Sequence, residues 1–405
     1  MAMQWQRNLA ICFFGSFINI VAMTVLLPFL PVYVEHLGVT GDAEIARWSG
    51  IAYAATFFSA ALVAPLWGHL ADRYGSRQNL IRASFGMVVS MGLIGMAQSV
   101  EQLVALRLLV GLAGGYTSGS YVLVAAQTPK DRSAWALGVL SSGIMAGGLV
   151  GPLLGGVLPN IVDIRTIFLG ASGLIFFNFL ATCLFITSPK TLTKTGKTTA
   201  ASEAAVRPDM SIVLTMLLVA MILMMANMSI EPIITLYVRS LGVSAQSVTV
   251  LAGFCMAASA LGSILSAPRL GKLADRIGAL KVIVLCLTVA GLLLIPQALV
   301  TEAWQLVALR LAMGLALGGL IPCVSAVIRQ NVGAQRVGKM LGYSTSAQYL
   351  GQVAGPVLGG FAAGSLGLRF VFGATSLVLL ATAGWCLLLL LRGQMDGNET
   401  SLSDN

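Results

Sequence analysis

The chain carries fifteen acidic residues, and of these Glu231 stands deepest inside an apolar run, in "MMANMSIEPIITLYV", with Pro232 directly after it. A carboxylate surrounded by hydrocarbon resists ionisation, so it can take a proton on one side of a membrane and release it when exposed to the other. Met224, Asn227 and Met228 precede it at the i, i+3, i+4, i+7 spacing of one helix face. Methionine adapts its shape, and a methionine stripe beside one carboxylate suits apolar cations of varied form. Two plainer readings compete: packing for the methionines, and a structural ion pair with Arg310 for Glu231.

Arg107 and Arg310 are the basic residues set well inside apolar runs, each about 10 Å from the outer end at ~1.5 Å per residue. An Arg there costs several kcal/mol unless it faces a cavity or finds a partner, so either a coupling role or backbone carbonyl partners must account for it. Asn19, Tyr116, Tyr121, Tyr343 and Gln348 are further polar or aromatic side chains in apolar runs, suited to lining a cavity.

The charged stretch "GHLADRYGSRQNLIR" (Gly68 to Arg82) returns as "GKLADRIGALK" (Gly271 to Lys281), with Asp72 and Asp275 203 residues apart. Gly68 permits close backbone approach. Asp72 can pair with Arg73 or Arg77 or face the positive N-terminus of a neighbouring helix, and Gly75, Asp275 and Arg276 complete the repeated pattern. A solvated turn in which Asp72 merely caps the next helix is the alternative. "RLLVGLAGG" at Arg107 returns as "RLAMGLALGG" at Arg310. "PFLPVYVEHLGV" at Pro28 returns as "PIITLYVRSLGV" at Pro232, and "GGLVGPLLGG" at Gly147 as "GQVAGPVLGG" at Gly351. Four matches at offsets of 203 or 204 indicate six spans duplicated in parallel. Gly147, Gly151 and Gly155 share one helix face that lets two helices approach closely, Gly156 follows them, and Pro152 bends the span.

The elements that hold these residues must be membrane helices. The chain is 57% hydrophobic and 10% charged, where soluble domains carry roughly 25% charged residues. Twelve apolar runs of about 20 residues recur, the second at 47–67 and the eighth at 247–268, each enough to cross a bilayer. The first run is too long for a signal peptide and lacks a cleavage site, so it is expected to be retained. The six cysteines fall within runs without CxxC spacing, and neither a metal nor a cofactor is expected. Eighteen Lys and Arg residues lie on the side shared by the termini against four on the other, which puts both termini in the cytoplasm. The net charge of +9 is therefore topological, and nucleic acid is not a partner. The expected organisation is a six-helix bundle at 1–188, a cytoplasmic linker at 189–210, a second bundle at 211–392 and a tail at 393–405. "TGKT" at Thr195 to Thr198 fails as a phosphate loop because Thr191 stands where glycine is required, and no hydrolase motif occurs.

On these motifs the chain resembles the major facilitator superfamily over essentially its whole length. More narrowly it is similar to the twelve-span drug:proton antiporters of bacteria, the MdtG-type multidrug exporters among them. "GHLADRYGSR" resembles the signature segment between spans 2 and 3, "RLLVGLAGG" the span 4 motif, and "GGLVGPLLGG" the span 5 motif of exporters. The resemblance implies an all-α fold of two pseudo-symmetric six-helix bundles in the bilayer of the inner membrane. It implies alternating access, with the Asp72 turn and its Asp275 copy gating, and proton coupling through Arg107 as well as Glu231. It implies a functional monomer exporting small lipophilic, cationic compounds against protons. Export of a specific metabolite, sugar or lipid, and a transport-inactive sensor, are the alternatives. Few polar residues inside spans speak against the former, and intact motifs against the latter.

Overall fold

The structure, a computed structural model, describes residues 2–129, 131–187 and 210–403. Almost all of the linker expected at 189–210, with its "TGKT" stretch, lies outside the described residues. Among the described residues the chain is helical throughout. Span 1 is made of α1 (Ala2–Thr24) and α2 (Leu30–His36), span 2 of α3 (Asp42–Tyr74), span 3 of α4 (Ser76–Ile94), and span 4 of α5 (Val100–Ala113) and α6 (Tyr116–Gln127). Spans 5 and 6 are α7 (Ser133–Val157) and α8 (Ile164–Phe185). Span 7 is α9 (Met210–Ile230) with α10 (Ile234–Ser240), span 8 is α11 (Ala245–Ile277), and span 9 is α12 (Ala279–Leu299). Span 10 is α13 (Ala303–Leu317) with α14 (Leu320–Gln330), span 11 is α15 (Ala334–Leu366), and span 12 opens α16 (Leu368–Ser403), whose backbone stays helical into the expected tail as far as Ser403. Ten of these spans are long and apolar enough to cross a membrane by length and composition alone. The other two are α4, which opens on the polar "SRQNLIR", and α15, whose many Gly, Ser and Gln residues dilute its hydropathy.

The duplication is written into the backbone. Span 1 breaks at a 3-10 turn over Leu27–Phe29 and span 7 at one over Glu231–Ile233, 204 residues on. Spans 4 and 10 break at matching glycine pairs, Gly114 with Gly115 and Gly318 with Gly319. Prolines recur inside unbroken helices, Pro65 with Pro268 and Pro152 with Pro356. α7 therefore continues through Pro152 as one helix.

Contacts divide the described residues into two compact units, those within Met1–Lys197 and Pro232–Ala257 and those within Thr198–Glu231 and Ala258–Asn405. By sequence repeat the segment 232–257 belongs to the second half; by contact it packs with the first. A set of polar bonds at one end of these helices ties the segment there. Thr235 Oγ1 donates to the Pro28 carbonyl at 2.7 Å, Thr249 Oγ1 to that of Gly156 at 2.9 Å, and Asn160 Nδ2 to that of Gln246 at 2.7 Å.

Within each unit the repeated glycine stripe does the same job. In the first, Gly147, Gly151 and Gly155 of α7 lie against the Phe17, Val21 and Val25 carbonyls of span 1. In the second, Gly351, Gly355 and Gly359 of α15 lie against the Met221, Met225 and Ser229 carbonyls of α9. Helix association in lipid has no hydrophobic drive, so backbone-to-backbone packing of this kind is what holds such pairs.

Candidate functional site

The span 7 break places the carboxylate. Pro232 has no N–H and its ring clashes with a continuing helix, so α9 stops at Ile230 and the chain makes one tight turn before α10 resumes. Glu231 opens that turn, half-buried, and Asn227 one turn earlier offers Nδ2 to Glu231 Oε1 at 3.4 Å. Met224 and Met228 are half-buried on the same face, and Gln352 Nε2 of α15 reaches 3.6 Å from Met224 Sδ. At the matching break of span 1 the residue in register with Glu231 is Leu27, which is buried. Of this pair of breaks, only that of span 7 carries an ionisable group. Tyr343 and Gln348 sit on α15 of the same unit, Gln348 half-buried and Tyr343 exposed with the Lys339 ammonium 5.7 Å from its ring centre.

Asn19, Tyr116 and Tyr121 lie in the first unit. Asn19 is buried and donates to the Gly15 carbonyl at 2.8 Å. Tyr116 is buried where spans 1, 4 and 6 meet, its hydroxyl 3.2 Å from Thr182 Oγ1 and 3.4 Å from Asn178 Oδ1. Both side chains are enclosed by helix packing in this conformation. Tyr121 keeps partial exposure and its hydroxyl meets Ser141 Oγ at 2.7 Å.

Arg107 is 2% exposed. Its Nε donates to the Ala52 carbonyl of α3 at 3.3 Å, its guanidinium stands 6.0 Å from the Tyr53 ring centre, and Thr56 Oγ1 returns a bond to the Arg107 carbonyl at 3.0 Å. Span 2 thus supplies the partners that an intramembrane guanidinium requires. Arg310 is equally buried in the second unit.

The gating segment differs from a loop. Gly68 and Asp72 lie on the last two turns of α3, because backbone hydrogen bonding continues well past the apolar run that ends near residue 67. The connection to α4 is Gly75 alone, at φ 90°, and its copy Gly278 has φ 97°. Side chains rarely adopt that region, which is the physical reason for glycine at both positions. The side chain of Asp72 lies outside the described residues. Arg77 Nη2 donates to the Cys183 carbonyl of span 6 at 2.7 Å, Arg73 is exposed with its guanidinium 5.5 Å from the Tyr74 ring centre, and Asp275 and Arg276 are exposed.

Two further charged groups are organised in ways that charge counting does not reveal. Arg82, counted above as a cytoplasmic charge, reaches from α4 to the break of span 4. Arg239 at the end of α10 binds Glu35 Oε2 at 2.9 Å and Asp42 Oδ1 at 2.6 Å, drawing together the adjoining ends of spans 1, 2 and 7. Glu35 and Arg239 are in register in the repeat, and the one available signal was their opposite charge in otherwise matching segments.

The Major Facilitator Superfamily model matches residues 12–259 and again 216–401. The chain belongs to the major facilitator superfamily. Within it, the chain is 40% identical over 387 residues to the multidrug resistance protein MdtG of Serratia proteamaculans, covering 95% of this chain and 94% of the relative. It is 39% identical over 389 residues to the MdtG of Enterobacter lignolyticus, covering 96% and 93%. Among solved structures, an inward-facing, unoccupied bacterial homologue of the human lysosomal transporter Spinster superimposes with a TM-score of 0.73 at 15% identity, covering 95% of this chain and 96% of that one. The human organic anion transporter MFSD10 does so with a TM-score of 0.65 at 18% identity, covering 94% and 99%. These likenesses give the superfamily fold of twelve membrane helices in two pseudo-symmetric halves.

Proposed function

We propose that this chain is a proton-coupled exporter of lipophilic, cationic compounds that works by alternating access in the bacterial cytoplasmic membrane. It acts as a monomer with both termini in the cytoplasm, and it is a carrier of protons and substrate, not an enzyme. The near-full-length likeness to multidrug resistance proteins supports the substrate class. The observation that carries the reading is Glu231 at the break of span 7, on one face with Asn227 and two methionines. A proton and a cation compete for one carboxylate, so loading either expels the other, which is the minimal chemistry of antiport. The two methionines beside that carboxylate leave substrate shape loosely specified. The two glycine-linked elbows, Gly75 and Gly278, and the outer bonds of Arg239, Thr235 and Thr249 are the mechanical parts that exchange access supports. The test is efflux from proteoliposomes under an imposed pH gradient with cationic, neutral and anionic dyes. Uphill accumulation of the cations that collapses with the gradient is expected, and accumulation indifferent to the gradient refutes proton coupling.

A further inference from the structure

Span 4 breaks at Gly114 and Gly115 inside the membrane, where freed carbonyls need partners that lipid cannot supply. Arg82 of α4 supplies them. Its Nη1 donates to the Leu112 and Ala113 carbonyls at 3.2 and 3.3 Å, and its Nη2 to the Gly114 carbonyl at 2.8 Å and to Asn79 Oδ1 at 2.9 Å. The guanidinium lies 3.4 Å from the centre of the Trp67 ring of α3, and the Trp67 indole N–H donates to the Leu112 carbonyl at 2.9 Å. A planar fork that both caps a helix C-terminus and stacks on an aromatic face is a role lysine cannot reproduce. Gly115, at φ 109°, leaves no room for more than this guanidinium beside it.

The second unit has the same break and none of this chemistry. In the repeat Arg82 corresponds to Leu285, Asn79 to Val282 and Trp67 to Leu270. Leu270 packs its side chain on Gly319, and the nearby carbonyl of Gly314 receives the hydroxyls of Ser263 and Ser266 at 3.2 and 3.4 Å beside the Gly318 N–H at 3.0 Å. We infer that Arg82 and Trp67 lock the break of span 4 into a fixed elbow, and that the break of span 10 is the compliant hinge of the pair. Arg82 is a positioning residue: it sets the angle between the half-helix that carries Arg107 and the one that begins at Tyr116. The inference rests on the fold and not on the substrate proposed above, and its main readout needs no substrate.

The experiment is amide hydrogen exchange on the full-length protein in lipid nanodiscs, comparing peptides across Gly114 to Tyr116 with those across Gly318 to Leu320. Hydrogen bonds to a charged group hold the first break, so it is expected to exchange about tenfold or more slowly than the second. The double variant Trp67→Leu/Arg82→Leu, which installs the side chains of the second unit, should bring span 4 to the rate of span 10, and Arg82→Lys should fall between. Dye efflux turnover should drop in step while dye affinity is unchanged, a split that loss of general stability would not produce. Equal exchange at the two breaks of the unmodified protein, or a double variant that leaves span 4 as slow as before, overturns the inference. Should the double variant not fold, Trp67→Phe keeps the ring and deletes one bond; it should speed exchange about threefold, and no change refutes the elbow.

Discussion

Two glycines of one motif in α7, Gly148 and Gly155, should respond in opposite senses to the same added methyl group. A Cβ on Gly148 meets nothing within 4 Å, whereas one on Gly155 runs into the Val25 carbonyl and stands 3.1 Å from Pro28 Cδ. In open space Ala is favoured over Gly in a helix by up to about 1 kcal/mol. At Gly155 the obstacle is backbone of the broken span 1, which cannot rotate aside, so overpacking should cost about 1–3 kcal/mol and outweigh that gain. The helix gain is common to both, so Gly148→Ala and Gly155→Ala should differ by the overpacking term, about 1–3 kcal/mol, or on the order of 2–12 °C in melting temperature for a unit of this size. Both variants are measured by thermal unfolding in one detergent, with gradient-driven efflux as the second readout. Gly155→Ala should lose efflux in proportion to its destabilisation and Gly148→Ala should keep it. If the two melt together, the motif does not pack span 5 on span 1 by the face described.

Three other outcomes follow from the same geometry. Glu231→Gln, which keeps the bond geometry to Asn227 and removes the titrating proton, should abolish uphill export of cationic and neutral dyes in gradient-driven efflux; loss of cations alone would make Glu231 a reader of substrate charge. Arg239→Gln removes two ion pairs whose groups are half-exposed or exposed, worth about 1 kcal/mol together. A cysteine in place of Thr235 should then react about three- to fivefold faster with an impermeant reagent added from outside, less so at high salt, and an unchanged rate would remove Arg239 from the outer closure. Asp72→Asn should slow turnover without changing dye affinity or expression, and normal turnover would return Asp72 to capping a helix.

What the sequence disclosed and what it withheld divide along a physical line. Duplication, span count and the glycine stripes are properties of local composition and register, so they were readable from apolar runs and from the offset of 203 or 204. The span ends were less so: α3 and α11 outrun their apolar windows because a helix continues through the interface until a positive-φ glycine stops it, which hydropathy does not sense. The break at Glu231 was implied by Pro232, but the break at Gly114 and Gly115 has no proline and was not visible as such. The partners of Arg82 were hidden for the same reason. Counted by position it is one more cytoplasmic charge, and only the broken helix opposite it turns it into a cap. Asn19 and Tyr116 look alike in sequence to cavity residues; that both are buried, with Asn19 Nδ2 and the Tyr116 hydroxyl bonded inside the first unit, is information carried by tertiary structure alone.

The two copies of the repeat share their mechanics and divide their chemistry. Breaks, elbows and glycine stripes recur at equivalent positions, because each is needed wherever a six-helix unit must pack closely and bend. The side chains at those positions differ where identical ones would fail. Glu35 and Arg239 occupy equivalent positions and bind each other; two copies of either residue at that meeting point would repel, so divergence into opposite charges converts a liability of duplication into a bond. Leu27 holds the position equivalent to Glu231, which confines the titratable group to one break of the pair. Arg82 against Leu285 follows the same logic for stiffness: one elbow held by charge and stacking, the other by a leucine and two hydroxyls. A carrier whose halves were chemically identical would have no reason to bend at one break before the other. Divergence at a few matched positions gives a symmetric scaffold an ordered sequence of movements, and those positions are where substitution should alter transport without unfolding the protein.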